Sequence, residues 1–174
     1  MNKLSEIIKN KMGSRTGMSL SEMLVTLIIL GLSTSVLASA FSVGLKTYRA
    51  EKRESALLAL QNALVVSIED ELRYATGFSD GGSSFTYSSR NRAGGRECSL
   101  VSDASTSNRI KVKDSAGNYY NLISDSMYVE DTKSFISFSY SDFSKINVTV
   151  TITNGNKEPM VQTFMVKPLN IGLK

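Results

Sequence analysis

An uncharged apolar stretch near the N-terminus constrains the fold of this chain more than any other feature. No charged residue occurs from Met23 to Leu45. As an α-helix, this stretch would extend about 34 Å, slightly more than the roughly 30 Å hydrocarbon core of a bilayer. One acidic residue, Glu22, comes directly before it. A carboxylate inside a membrane costs about 2.5–3.5 kcal/mol on insertion scales, so a chain that keeps one usually uses it.

A short basic segment precedes the apolar stretch and ends at Gly17. Residues 1–17 carry four basic side chains and one acidic side chain, so their removal would lower the formal net charge from +4 to +1. The basic character of the whole chain therefore gives no support for nucleic-acid binding by the remaining part. Basic residues also follow the apolar stretch, so the positive-inside rule does not fix its orientation in a membrane.

Three interpretations of the apolar stretch are compatible with its composition. It could anchor the chain uncut, it could be retained after a cut behind Gly17, or it could be removed as a secretory signal peptide. Ala38-Ser39-Ala40 has the small-x-small spacing that signal peptidase recognises, and that cut would release a chain starting at Phe41. A helical pattern continues from Phe41 to Thr76 without proline or a turn cluster, which favours retention.

The residues around Gly17 resemble the N-terminus of type IV prepilins and pseudopilins. In that family a glycine precedes the cut, an apolar residue follows it, and a glutamate stands five positions after it; here these are Gly17, Met18 and Glu22. The resemblance implies cleavage after Gly17 by a prepilin peptidase and methylation of the new N-terminus at Met18. It also implies a charge pair between Glu22 and the α-amine of an adjacent subunit. The expected partners are the peptidase, other pilin or pseudopilin subunits, an inner-membrane assembly platform, and membrane lipid before assembly.

The pattern that follows predicts how the chain divides. Over residues 46–76, apolar side chains recur at spacings of three and four and form one stripe along a helix, with Gly77 as the expected C-cap. The stripe consists of Leu57, Leu60, Leu64, Ile68, Leu72 and Ala75. We predict a leader peptide over 1–17, an apolar transmembrane and assembly helix over 18–45, an amphipathic helix over 46–76 and a head over 77–174.

The head carries the patterns of β-strands. Residues 77–108 are rich in Ser and Gly and predict a long surface connection with one short strand at Phe85–Tyr87. Apolar-rich and alternating segments then predict strands over 109–113, 118–123, 135–140, 145–153 and 160–167. Short turns between them predict one antiparallel sheet with one face on the helix, an α+β fold. The resemblance implies the ladle shape of the pilin family.

The chain lacks the residues of the common catalytic and metal sites. It has no histidine and one cysteine, Cys98, which excludes His-based triads, the usual zinc sites and an internal disulfide. We predict that Cys98 lies in a Ser/Gly loop as an inert thiol. The consecutive acids Glu69, Asp70 and Glu71 are expected on a solvated helix surface. No enzyme activity and no cofactor are therefore expected.

Three arginines near Tyr87 are the candidate nucleic-acid contact: Arg90, Arg92 and Arg96. Glu97 offsets part of their charge and few aromatic residues lie between them, so we favour a solvated loop. A weak contact with DNA phosphates is the alternative interpretation.

Together these observations favour a structural role. The resemblance implies a minor pilin or pseudopilin of a type IV pilus or of a related competence or type II secretion-like filament. Such a subunit would first span the cell membrane once, with its head outside, and then enter an extracellular filament. The alternative is a secreted or signal-anchored surface binding protein that is cleaved after Ala40.

Overall fold

The computed structural model describes residues 18–80, 85–89, 92–155 and 158–170. The chain divides into two compact units, Met1–Ala50 and Glu51–Lys174. One long helix, α1 (Leu20–Arg73), contributes residues to both units. Strands follow in the second unit, so the predicted α+β class is confirmed. Within the described ranges they are β1 (Thr76–Asp80), β2 (Phe85–Ser88), β3 (Glu97–Val101), β4 (Lys111–Asp114), β5 (Tyr119–Asn121), β6 (Thr132–Tyr140), β7 (Ile146–Asn154) and β8 (Met160–Val166).

The C-terminal part of α1, residues 51–73, packs against the sheets through the predicted apolar stripe. Its spacing of three and four residues aligns the side chains on one face of the helix. All six stripe residues are buried, and Leu60, Leu64, Ile68 and Leu72 have no exposed surface. The stripe is therefore the helix contribution to the core, as predicted.

Gly77 does not cap the helix, which corrects the prediction for its C-terminus. The helix ends at Arg73, and the chain enters β1 at Thr76. Gly77 has a φ of +59° and lies where the pairing of β1 with β2 is irregular, between Thr76 and Ser79. A glycine in this left-handed conformation allows a strand to bulge without steric strain. The N–H of Leu169 donates to the Arg73 carbonyl oxygen at 2.9 Å at the end of the helix.

The strands form two sheets, so the prediction of one sheet was wrong. The first sheet has the order β1-β2-β3-β4-β5 and the second has the order β6-β7-β8, and all neighbouring strands are antiparallel. The strands β1 and β3 occupy residues that were expected to form a surface connection. These strands are short, so the alternation that is visible in longer strands does not stand out, although the buried Cys98 and Leu100 do alternate with less buried neighbours in β3.

The two sheets share one core with the helix stripe. Aromatic rings join them: Phe85 of β2 meets Phe138 of β6 edge-on, with ring centroids 4.8 Å apart. A main-chain hydrogen bond also joins β6 to the segment before β4, because the N–H of Ser134 donates to the Asn108 carbonyl oxygen at 2.8 Å. The Ser134 hydroxyl in turn accepts from the N–H of Ile110 at 3.1 Å. The second unit is therefore held by packing and by hydrogen bonds between its layers.

Candidate functional site

Glu22, the candidate assembly residue, lies in the first turn of α1. The N–H of Ser19 donates to Glu22 Oε2 at 3.0 Å, and Ser19 comes directly before the helix. This is the glutamate half of a capping box, in which a side chain at the third helical position satisfies the N-cap N–H. Met18 is exposed one residue ahead of Ser19. Gly17 lies outside the described residues, and the roles of these three residues in processing and assembly stay predictions.

The first part of α1 presents an apolar surface on every side. Each residue from Leu20 to Ala50 is exposed, including large side chains such as Leu24, Ile28 and Phe41. A contiguous apolar surface of this extent is rare on a soluble monomer and marks a membrane or protein contact. This surface is therefore the part of the molecule that most needs a lipid or protein environment.

Hydroxyl side chains in the apolar part of α1 bond back to its own backbone. The Thr26 hydroxyl donates to the Glu22 carbonyl oxygen at 2.6 Å, and the Ser39 hydroxyl donates to that of Val36 at 2.8 Å. The Thr34 hydroxyl donates to the Leu30 carbonyl oxygen in the same way. Because each hydroxyl is satisfied inside the helix, its transfer into lipid costs less free energy.

Within the part of the chain that the structure describes, α1 is the one helix long and apolar enough to cross a membrane. By length and composition, a helix of this kind near the N-terminus could be a membrane span or a signal sequence. The rival cleavage residues, Ala38 to Ala40, lie inside α1. The helix continues for about nine turns beyond them.

The arginines of the candidate DNA contact have different surroundings. Arg90 lies outside the described residues. The Arg92 side chain bonds to the protein itself, because its Nε lies 3.1 Å from Glu71 Oε2 and its Nη atoms donate to the Asn121 and Leu122 carbonyl oxygens. The Arg96 side chain is 58% exposed and has Nη1 3.5 Å from Asp114 Oδ2. DNA contact stays a prediction, and Arg96 has the more accessible of the two described guanidinium groups.

Glu71 is buried, which corrects the prediction that all three consecutive acids face solvent. Its side chain is 3% exposed, whereas Asp70 is exposed and Glu69 pairs with Arg73 on the helix surface. The position of Glu71 three residues after Ile68 places it on the buried side of the helix. That spacing was the sequence signal for its burial. A buried carboxylate requires a partner, and Arg92 supplies it.

The hydroxyl of Tyr87 is buried near the Glu71 carboxylate. Burial raises the pKa of Tyr87 well above its usual value, and the negative charge of Glu71 raises it further, while the Arg92 charge opposes that rise. The phenol therefore stays protonated and able to donate a hydrogen bond. Over the described residues, the Tyr87 hydroxyl and Glu71 Oε1 are the two buried side-chain atoms without a hydrogen-bond partner.

Cys98 lies in strand β3 and not in a loop, which is a further correction. It stands opposite Tyr87 on one side and Asp114 on the other. Its side chain is buried, and its Sγ donates to the Arg96 carbonyl oxygen at 3.3 Å. Burial raises the pKa of the thiol, so the reactive thiolate is disfavoured.

Asp114 is a second buried acid that the sequence analysis did not identify. Its carboxylate accepts hydrogen bonds from the side-chain amide of Asn118 at 3.0 Å, from the N–H groups of Ala116 and Asn118, and from the Tyr120 hydroxyl at 3.2 Å. These donors, the Asn118 amide first, lower the pKa of Asp114 to about 2. The charged carboxylate thus organises the turn between β4 and β5. No group of three or more potential metal-ligating acids or thiols occurs among the described residues.

Comparison of the chain with protein-family models, with curated proteins and with solved structures found no match. The arrangement itself is pilin-like: a long apolar N-terminal helix is followed by antiparallel sheets that pack on its second part.

Proposed function

We propose that this chain is a minor pilin or pseudopilin, a structural subunit of a type IV pilus or of a related competence or type II secretion-like filament. One observation carries the proposal: Glu22, five positions after the predicted cut, occupies the first turn of an exposed apolar helix that runs unbroken into the core of the second unit. The order of apolar helix and antiparallel sheets also supports it. The proposed role is structural and involves no catalysis.

Processing is the first step of the proposed role. A prepilin peptidase cuts after Gly17 and removes the basic leader, and the new N-terminus at Met18 is then methylated. Glycine suits this position because it has no side chain to obstruct an extended segment in a peptidase cleft. Until assembly, residues 18–45 reside in the membrane as a single span with the head outside.

Assembly then depends on Glu22. A carboxylate in an apolar environment is stabilised by an opposite charge, and the α-amine of Met18 in an adjacent subunit supplies one at a similar depth. The hydrogen bond from Ser19 uses Oε2, and a carboxylate has lone pairs for several donors. Pairing of this kind would fix the axial register of neighbouring helices. A membrane assembly platform would move the subunit from lipid into the extracellular filament.

Mass spectrometry of the mature N-terminus tests the processing step. We expect a chain that starts at Met18, with or without a methyl group. Gly17→Val should block this cut because a branched side chain enters the peptidase cleft, whereas Ala40→Leu should leave it unchanged. A chain that starts at Phe41 and disappears in the Ala40→Leu variant would overturn the proposal and support a secreted or signal-anchored binding protein. An uncut chain would support a plain membrane anchor.

A further inference from the structure

A groove runs along one side of α1, close to the end of its uncharged stretch. Its volume is about 410 Å³, and the residues that line it are Leu37, Ala40, Phe41, Gly44 and Leu45. Their spacings of three and four residues place them on one side of the helix. All five residues are exposed. The groove is therefore an open, apolar surface within the first unit.

Gly44 keeps this groove open. A Cβ atom added at this position would meet no other part of the chain within 4 Å, apart from the adjoining backbone of the helix, so the glycine borders open space. Glycine destabilises the interior of a helix relative to alanine, and its presence there needs a local explanation. A groove that receives another group supplies one, because a residue without a side chain allows that group to approach the backbone closely.

Two side chains that suit a phosphate group lie at the C-terminal end of the groove. Tyr48 is four residues after Gly44 and Arg49 is four residues after Leu45, so each lies one turn beyond a groove residue on the same side. Tyr48 is 62% exposed, and Arg49 is also exposed. Neither side chain has an ion pair or hydrogen bond with another residue in the part of the chain that the structure describes. A guanidinium group binds phosphate through two parallel hydrogen bonds, and a phenol can donate another.

The depth of these residues matches the two parts of a lipid. The groove lies within the last nine residues of the stretch Met23–Leu45, which is long enough to span the hydrocarbon core. Tyr48 and Arg49 follow that stretch by three and four residues, or about 4.5–6 Å along the helix. In a single span the groove would therefore lie among acyl chains, and the two polar side chains would lie among headgroups.

We infer that this side of α1 binds one anionic phospholipid, with an acyl chain in the groove over Gly44 and the phosphate held by Arg49 and Tyr48. The inference rests on the proposed single-span stage and names the lipid that accompanies the subunit there. Charge complementarity selects this ligand, because a basic side chain beside a membrane attracts anionic headgroups. Glu51 does not neutralise Arg49, since side chains two residues apart on a helix do not face each other. A second copy packed in parallel on the same side would bring its own Arg49 to the same level, where the like charges repel.

Lipid titration of the full-length chain in detergent micelles tests the groove. Native mass spectrometry counts the dioleoylphosphatidylglycerol molecules that the chain retains, and a titration series gives their Kd. We expect Gly44→Leu to raise the Kd about fivefold or more, because its side chain fills the groove and each acyl methylene that stays buried contributes to binding. Gly31→Leu is the matched control and should leave the Kd unchanged, since Gly31 also borders open space but lies on another side of α1.

Charge variants test the phosphate contact. Arg49→Gln should raise the Kd about fivefold, which is the contribution of one basic side chain to the binding of anionic lipid. Lys46→Gln removes the same charge at nearly the same depth, but Lys46 is one residue from Leu45 and two from Gly44 and so does not face the groove. It should change the Kd less than about twofold. The basic leader contributes equally throughout, because none of these variants changes it.

Three results would overturn the inference, provided that circular dichroism shows the same helix content in all chains. The first is an equal Kd for the Gly44→Leu and Gly31→Leu chains. The second is an equal effect of Arg49→Gln and Lys46→Gln, which would indicate attraction by charge without a site. The third is a natural chain that is dimeric in micelles and becomes monomeric in Gly44→Leu, because a second copy of α1 would then occupy the groove.

The lipid titration and the test of processing can fail separately. A chain that starts at Met18 but shows any of these three results would remove the lipid site and leave the proposed function intact. A chain that starts at Phe41 would lack Leu37 and Ala40 and would overturn both.

Discussion

At the scale of single residues, Arg92 joins three parts of the second unit. It bonds to Glu71 of α1 and to the carbonyl oxygens of Asn121 and Leu122 at the end of β5, and it lies itself between β2 and β3. The Glu71 side chain is 3% exposed and the Arg92 side chain is 29% exposed. Loss of the arginine would leave a buried carboxylate without its counter-charge, which is costly.

Replacement of Arg92 should therefore destabilise the second unit. We expect Arg92→Ala to lower the free energy of unfolding by about 2–4 kcal/mol, because Glu71 remains buried and unpaired. Arg96→Ala is the matched control, since the Arg96 side chain is 58% exposed, and should cost about 1 kcal/mol or less. Urea unfolding monitored by near-ultraviolet circular dichroism measures both. Equal effects of the two variants would contradict the role of Arg92.

Asp114 should make the stability of the second unit depend on acid pH. Its pKa falls from 3.8 to about 2 in the folded chain, so the carboxylate stabilises the fold above pH 3.8. That contribution is lost as the pH falls through about 2. We expect the Tm of the natural chain to fall across this range, and Asp114→Asn to have a lower Tm at neutral pH with a weaker dependence on acid. Parallel curves for the two chains would contradict this assignment.

At the scale of elements, the sequence predicted the buried face most accurately in those elements where one periodicity extends over many residues. The stripe from Leu57 to Ala75 identified the buried face of α1, and the alternation of Ile146, Val148, Val150 and Ile152 identified β7. Both patterns arise from the geometry of a regular element with one buried face.

The shorter elements were missed for a physical reason. In β1 and β3 the strands have five residues each, and small polar residues occupy several positions, so the alternation is too short to stand out. Their burial depends on partners distant in sequence, as when Cys98 lies between Tyr87 and Asp114. The spacing from Ile68 indicates that Glu71 is buried, but its partner Arg92 is distant along the chain and adjacent only in the fold.

The start of α1 allows the capping and charge roles of Glu22 to be separated. Glu22→Gln keeps an oxygen that can accept from the Ser19 N–H but removes the charge. We expect this variant to keep the first helical turn and to be cut after Gly17, yet to enter filaments poorly. Glu22→Ala should also destabilise the helix start by about 0.3–1 kcal/mol, because it removes an acid from the first turn.

Two measurements distinguish these effects. Hydrogen exchange of the amides at residues 20–25 reports the first turn, and immunoblots of sheared filaments report incorporation. Ser42→Ala, which changes an exposed residue further along α1, is the control and should behave as the natural chain. Normal incorporation of Glu22→Gln would contradict the charge pair but would leave the capping role intact.

At the scale of the whole molecule, the division into two units follows the distribution of buried residues. The buried helix positions begin at Leu57, inside the unit Glu51–Lys174, and every residue of α1 before position 51 is exposed. The sequence predicted that the helix is apolar on all sides in its first part and amphipathic in its second part. It did not predict two sheets, because the order of strands along a chain does not determine where one sheet ends and the next begins.

A chain that begins at Glu51 should therefore fold without the first unit. We expect residues 51–174 to unfold cooperatively in urea and to show near-ultraviolet circular dichroism typical of fixed aromatic side chains. Residues 77–174 lack the helix stripe and should bind hydrophobic dyes and aggregate, because the core faces of the sheets would be exposed. A molten state of residues 51–174 would show that their packing depends on the first unit.

The proximity of Met18 to the start of α1 has an electrostatic consequence. A cut after Gly17 would place an ammonium group one residue ahead of Ser19, where the aligned peptide dipoles of the helix already contribute about half a positive charge. Glu22 is the acidic residue of that first turn. The tip of each processed helix would carry about one and a half positive charges against one negative charge. Such a tip has its lowest energy beside anionic lipid headgroups or beside the carboxylate of another copy, and methylation of the amine would preserve that preference because it leaves the positive charge in place.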